Sequence, residues 1–167
     1  MSETEAGSRL AKAERRVRAL GVLLRVIGIG VATVDLDQAE ERAKATIAHR
    51  AIRDAPDDVL LGARCRIVIA DEGPSIVLLE PITEGRLAAS LARYGQEAVV
   101  SYMSPVVPGV DVAGPAAIAG ISLSSAAPGP LGVSRLVLRG PPWGPHVILV
   151  EGASPGDVEP PPATIEA

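Results

Sequence analysis

A chain of 167 residues that is 47% hydrophobic and 22% charged has the length and composition of one folded domain, or two small modules sharing a core. Aromatics make up 2%, with no Phe, so base-stacking platforms are disfavoured and the core must be built from Val, Ile, Leu and Ala. A net charge of −4 argues against nucleic acid as a partner, and the basic cluster Arg15, Arg16, Arg18 reads as a solvated helix face.

The opening "MSETEAGSRLAKAERR" has neither the cationic lead nor the apolar stretch of a secretory segment. Residues 1–21 are expected to form a tail and a short helix over 9–20. The apolar run from Val17 to Val34 is broken by Arg18, Arg25 and glycines, which makes a poor membrane span. A cytoplasmic protein with no membrane partner is expected. "VLLRVIGIGVATV" (22–34) is rich in β-branched residues and predicts a strand, with Gly28 and Gly30 permitting close backbone approach. The rhythm then changes. Asp37 and Glu40 have capping-box spacing, and a helix is expected from about Gln38 to Arg50, broken by "RDAPDD".

"ARCRIVIA" and "SIVLLEP" predict a hairpin turning at "DEGP". The single cysteine, Cys65, cannot form a disulfide within the chain and reads as a buried strand thiol. "TEGRLAASLARYG" predicts a helix stopped by Gly95, and "EAVVSYM" another strand. "AAIAG" is a possible helical turn and "ISLSSAAPGPLGV" an extended segment. "SRLVLRG" and "PHVILVEG" make a second hairpin around "PPWG", and residues 153–167 are Pro-rich, acidic and expected to be disordered. The fold class expected is α+β. Two βαβββ modules, 22–95 (with a linker helix) and 96–152, would form a curved mixed sheet around a cavity, preceded by an N-terminal helix.

"IGIGVATVDLDQAEE", "SIVLLEPITEGRLAASLARYGQEAVVSYM", "AGISLSSAAPGPLGVSRLVL" and "HVILVEG" together resemble the vicinal oxygen chelate superfamily. That superfamily includes glyoxalase I, bleomycin-resistance proteins and extradiol dioxygenases; the middle segment resembles its methylmalonyl-CoA epimerase-like branch. The resemblance spans roughly residues 25–152. It implies a divalent metal held by His, Glu or Gln, His and Glu, one from each of four strands, acting as a Lewis acid. Laid on this chain those positions fall at Gly28, Val77, Val100 and Ile148, whose side chains offer no lone pairs. No metal and no cofactor is therefore expected.

Strand parity puts His146 on the face of Ile148 and Tyr102 on that of Val100, so both are ligand-binding candidates, with His146 a weak candidate general base. Arg64 and Arg66 form one basic face of their strand, either lining the cavity toward a carboxylate or phosphate or facing solvent. Trp143 is a further ligand-binding candidate, read as a lid or ligand platform, or else as a packing plug. Glu80 and Glu151 fall off the cavity face, and Asp35 and Asp37 read as helix caps. The function expected is metal-free binding of a small apolar or amphiphilic molecule by a homodimer. The alternative is an epimerase or lyase acting on an acyl-CoA or 2-oxo compound.

Overall fold

The computed structural model describes residues 3–151. Helix α1 (Glu3–Val17) runs into a 3-10 turn (Arg18–Leu20) and then β1 (Leu24–Ala32). Helix α2 (Leu36–Thr46) follows, and of the two expected caps it is Asp35 that serves: the Asp35 carboxylate accepts from the Gln38 N–H at 3.0 Å. Asp37 sits in the first turn instead, where negative charge suits the helix dipole. Leu36, Ala39 and Ala43 recur at helical spacing and bury against Val68 and Leu78.

The segment read as a helix break is a strand. β2 (His49–Asp58) pairs antiparallel with β3 (Ala63–Ala70) at the edge of the sheet. An edge strand with few buried side chains tolerates the charges of "RDAPDD", and Pro56 falls in the register shift between Ala55 and Asp58. The hairpin from β3 to β4 (Ser75–Pro81) is as expected. Helix α3 (Arg86–Tyr94) ends at Gly95, whose φ of 76° favours glycine. β5 (Ala98–Pro105), α4 (Ala113–Ile118), β6 (Ser134–Leu136) and β7 (His146–Val150) complete the order.

The seven strands form one mixed sheet in the order β2-β3-β4-β1-β5-β7-β6. The first strand of each half pairs parallel with the last, β1 with β4 and β5 with β7. The halves meet along the antiparallel seam β1–β5. In the second half the extended segment makes only the isolated bridges Leu123–Val137 and Ala127–Ser134, so it contributes no full strand.

Alternation sorts the side chains by face. Ile67, Val77, Leu79, Val100, Tyr102 and Ile148 gather on an inner face with Leu87 of α3. On the outer face Met103, Val147 and Leu149 pack with Val17 and Ala116. The Pro-rich stretch 153–167 lies outside the described residues. No helix among the described residues is long and apolar enough to cross a membrane.

Candidate functional site

The register brings together the four positions at which the resemblance implies metal ligands. On one rung Val77, Gly30, Val100 and His146 lie side by side across β4, β1, β5 and β7. On the next same-face rung Gly28 is opposite Tyr102, which neighbours Ile148. Val77, Val100 and Ile148 are fully buried. A Cβ added at Gly28 would come within 2.7 Å of Leu131 Cδ1, and one at Gly30 within 2.7 Å of Val100 Cβ and 2.8 Å of Leu79 Cδ1. The glycines are needed because the backbone is met here by hydrocarbon. The donor chemistry does not fit a divalent ion, and neither does the space. Among the described residues no group of three or more His, Cys, Asp or Glu is arranged to hold one.

The centre of the inner face holds a polar pair instead. Tyr102, fully buried, donates its hydroxyl to Asp58 Oδ2 at 2.7 Å, and Asp58 Oδ1 accepts from the Leu61 N–H at 3.0 Å. Burial raises the Asp58 carboxyl above its ordinary range, against the lowering effect of these hydrogen bonds. It also raises the Tyr102 phenol. Sequence reasoning found Tyr102 and missed Asp58, which was hidden in the polar run of β2. Tyr102→Phe should cost about 1–3 kcal/mol, because Asp58 then loses a donor while remaining buried; urea unfolding at neutral pH measures it.

His146 is also buried, and its Nε2 lies 3.2 Å from Ser90 Oγ of α3. Ser90 Oγ is 2.7 Å from the Trp143 carbonyl and 2.9 Å from that of Arg86. One hydroxyl proton serves one carbonyl, which leaves the oxygen to accept from an Nε2–H. Burial, helped by the Arg86 charge, lowers the His146 imidazole to about 4. Its ring faces a helix and not a solvent-filled cavity. Trp143 lies beneath the Arg93 guanidinium at 4.8 Å from the ring centroid, so it clamps its loop to α3.

Arg64 and Arg66 are not with Tyr102 and His146. They alternate with the inward Cys65 and Ile67 and point to the α2 side. Arg66 binds Asp37 and Glu40 of α2, each at 2.7 Å, and Asp54 at 3.1 Å. Arg64 pairs with Glu80, whose other oxygen accepts from the Leu36 N–H at 2.8 Å. Glu151 accepts from Arg135 at 2.6 Å. These charges fasten the scaffold. Burial pushes the Cys65 thiol up to about 12, which leaves it unreactive.

The order of strands, the parallel pairing within each half and the antiparallel seam decide the fold. The chain has the vicinal oxygen chelate fold. Among solved structures it is similar to methylmalonyl-CoA epimerase from Mycobacterium tuberculosis, at 21% identity over 77% of this chain and 88% of that one, with a TM-score of 0.65. It is also similar to a Streptomyces coelicolor methylmalonyl-CoA epimerase variant in complex with 2-nitronate-propionyl-CoA, at 22% identity over 78% and 95%, TM-score 0.63. A methylmalonyl-CoA epimerase in complex with methylmalonyl-CoA and ammonium matches at 25% identity over 79% and 96%, TM-score 0.61. No protein-family profile matches the chain. No curated protein sequence matches it either. The vicinal oxygen chelate fold is thus kept at low sequence identity.

Proposed function

We propose that this protein is a metal-free member of the vicinal oxygen chelate fold that binds a small apolar or amphiphilic molecule without catalysing metal-dependent chemistry. The observation that carries this reading is the exchange at Gly28, Val77, Val100 and Ile148. The positions at which the resemblance implies ligands adjoin one another, yet they carry hydrogen or alkyl groups, and Leu131 fills the space beside Gly28. A divalent ion needs several lone pairs at about 2 Å, and these side chains supply none. Small-molecule binding then relies on apolar burial, worth about 25 cal/mol per Å2.

Protein purified from medium supplemented with zinc, cobalt, nickel and manganese should carry none of them at one per chain. Elemental analysis checks this, and one tightly held ion per chain overturns the reading. Native mass spectrometry of the same material should show a retained small molecule.

The second reading, an epimerase or lyase on an acyl-CoA or 2-oxo compound, has one observation in its favour. An imidazole held at about 4 is unprotonated at neutral pH, the state a general base needs. Turnover of methylmalonyl-CoA epimers that disappears in His146→Ala would favour it; none is expected, because Nε2 faces Ser90. A homodimer belongs to the first reading. Leu23 and Val107 stand 70% and 61% exposed near the end of the β1–β5 seam, where the Val106 N–H bonds the Leu23 carbonyl. A monomer mass by light scattering removes it.

A further inference from the structure

On the outer face a cleft of about 220 Å3 opens between α1, the start of β7 and the loop before it. Its floor is apolar: Val17, Ile121, Val137 and Val147 are buried members of the outer core. Its rim is cationic. Arg9, Lys12 and Arg16 recur at helical spacing along one side of α1, and Arg139 reaches the same opening from the β6–β7 connection. Among the described residues lining it there is no carboxylate.

Arg9 is spoken for: it pairs with Glu97 at 2.6 Å and lies 4.3 Å over the Tyr94 ring. Lys12, Arg16 and Arg139 are exposed and form no ion pair with any described carboxylate. Arg64, Arg66 and Arg135, by contrast, are each paired with a carboxylate. In a chain of net charge −4, Lys12, Arg16 and Arg139 thus gather around an apolar cleft whose lining carries no carboxylate. A solvated helix face explains Lys12 and Arg16 alone. It does not explain Arg139 arriving from another element over the same apolar floor.

We propose that this cleft binds a small organic anion with a short apolar tail. Its carboxylate or phosphate head would meet Lys12, Arg16 and Arg139, and its tail would lie on Val17, Ile121 and Val147. Guanidinium groups pair with such heads through charge-assisted hydrogen bonds. The volume equals roughly seven waters, which suits a short alkyl or acyl chain and not a long fatty acid. This assignment rests on the ligand-binding reading above and gives it a location and a ligand class.

The test is calorimetric titration of the full chain with octanoate, octyl phosphate and octanol, with anionic vesicles as a separate arm. Octanoate and octyl phosphate should bind, and octanol should bind at least about tenfold more weakly because it lacks the charge. Arg16→Glu combined with Arg139→Glu should weaken octanoate by about a hundredfold. Lys12→Glu should weaken it by about tenfold. All three positions are exposed, and circular dichroism melts confirm that the variants fold. Raised salt should weaken octanoate binding, since the rim is open to solvent.

Equal binding of octanol and octanoate, or unchanged binding in the double variant, overturns the proposal. So does binding to vesicles without binding to the soluble anions, or no binding of any probe. None of these outcomes touches the metal-free reading, which falls only to a retained ion or to turnover.

Discussion

Ile148→Glu is expected to yield no stably folded protein. The substitution places a carboxylate at the position where the resemblance implies a metal-binding Glu. In this chain the side chain at 148 is fully buried, beside Tyr102 on β5 and Leu136 on β6. A carboxylate there gains no cation and no designed donor. Burying it unpaired costs about 4 kcal/mol or more, close to the whole stability of a marginal domain. Ile148→Val, which only removes a methylene, should cost about 0.5–1.5 kcal/mol. Soluble yield, circular dichroism and urea titration separate the two. Zinc should not rescue the glutamate variant, because Gly28, Val77 and Val100 still supply no ligand. A variant that folds with an unchanged midpoint would mean that water reaches the inner face, and the packed centre would be wrong.

Acidification from pH 6.5 to 4 should remove about 3 kcal/mol of stability through His146 alone. The folded imidazole is held at about 4 while the unfolded one returns to 6.5. Between those values the unfolded chain binds the extra proton. The His146 contribution is therefore complete above about 6.5 and is lost as pH falls toward 4. In a thermal scan this amounts to a drop of roughly 6–12 °C in Tm over that range.

Asp58 works in the opposite sense. Its folded carboxyl is raised, so the folded chain holds the proton more tightly, and stability declines as pH rises through that folded value. His146→Gln should flatten the acid limb of the profile. Asp58→Asn should steepen it, because the opposing contribution is gone. A wild-type melting temperature that does not move between pH 6.5 and 4, together with an unchanged profile in His146→Gln, would place the imidazole in solvent.

Much of this architecture was legible from periodicity and punctuation. The β-branched run 22–34, the turn "DEGP" and the glycine after "LARY" each carry a local signal that the fold obeys. β2 was not legible, because an edge strand pairs on one side only and tolerates solvent-facing Arg53, Asp54 and Asp57. Its polarity looked like a break. That Gly28 and Ile148 offer no side-chain donor could be read from the sequence. What packs around them could not.

Leu131 comes from an extended segment distant in sequence, and Asp58 meets Tyr102 across 44 residues. Such partners are set by tertiary closure and leave no periodic trace. Parity placed His146 and Ile148 correctly on one face, but it could not say whether Arg64 and Arg66 shared it. That depended on α2 supplying Asp37 and Glu40 on the other side. Of the cationic rim only Arg16 stood out in the sequence, as part of a solvated helix face, and Arg139 on the second wall left no signal.

The packed inner face also determines how the chain comes apart. Its core cluster draws Val77 and Leu79 from the first half and Tyr102 and Ile148 from the second, and the Asp58–Tyr102 hydrogen bond spans both. Each half completes the other's interior. Neither repeat is then a unit that can melt by itself. Cutting the chain between Gly95 and Ala98 would expose hydrocarbon on both fragments, and the intact molecule should unfold in a single cooperative transition.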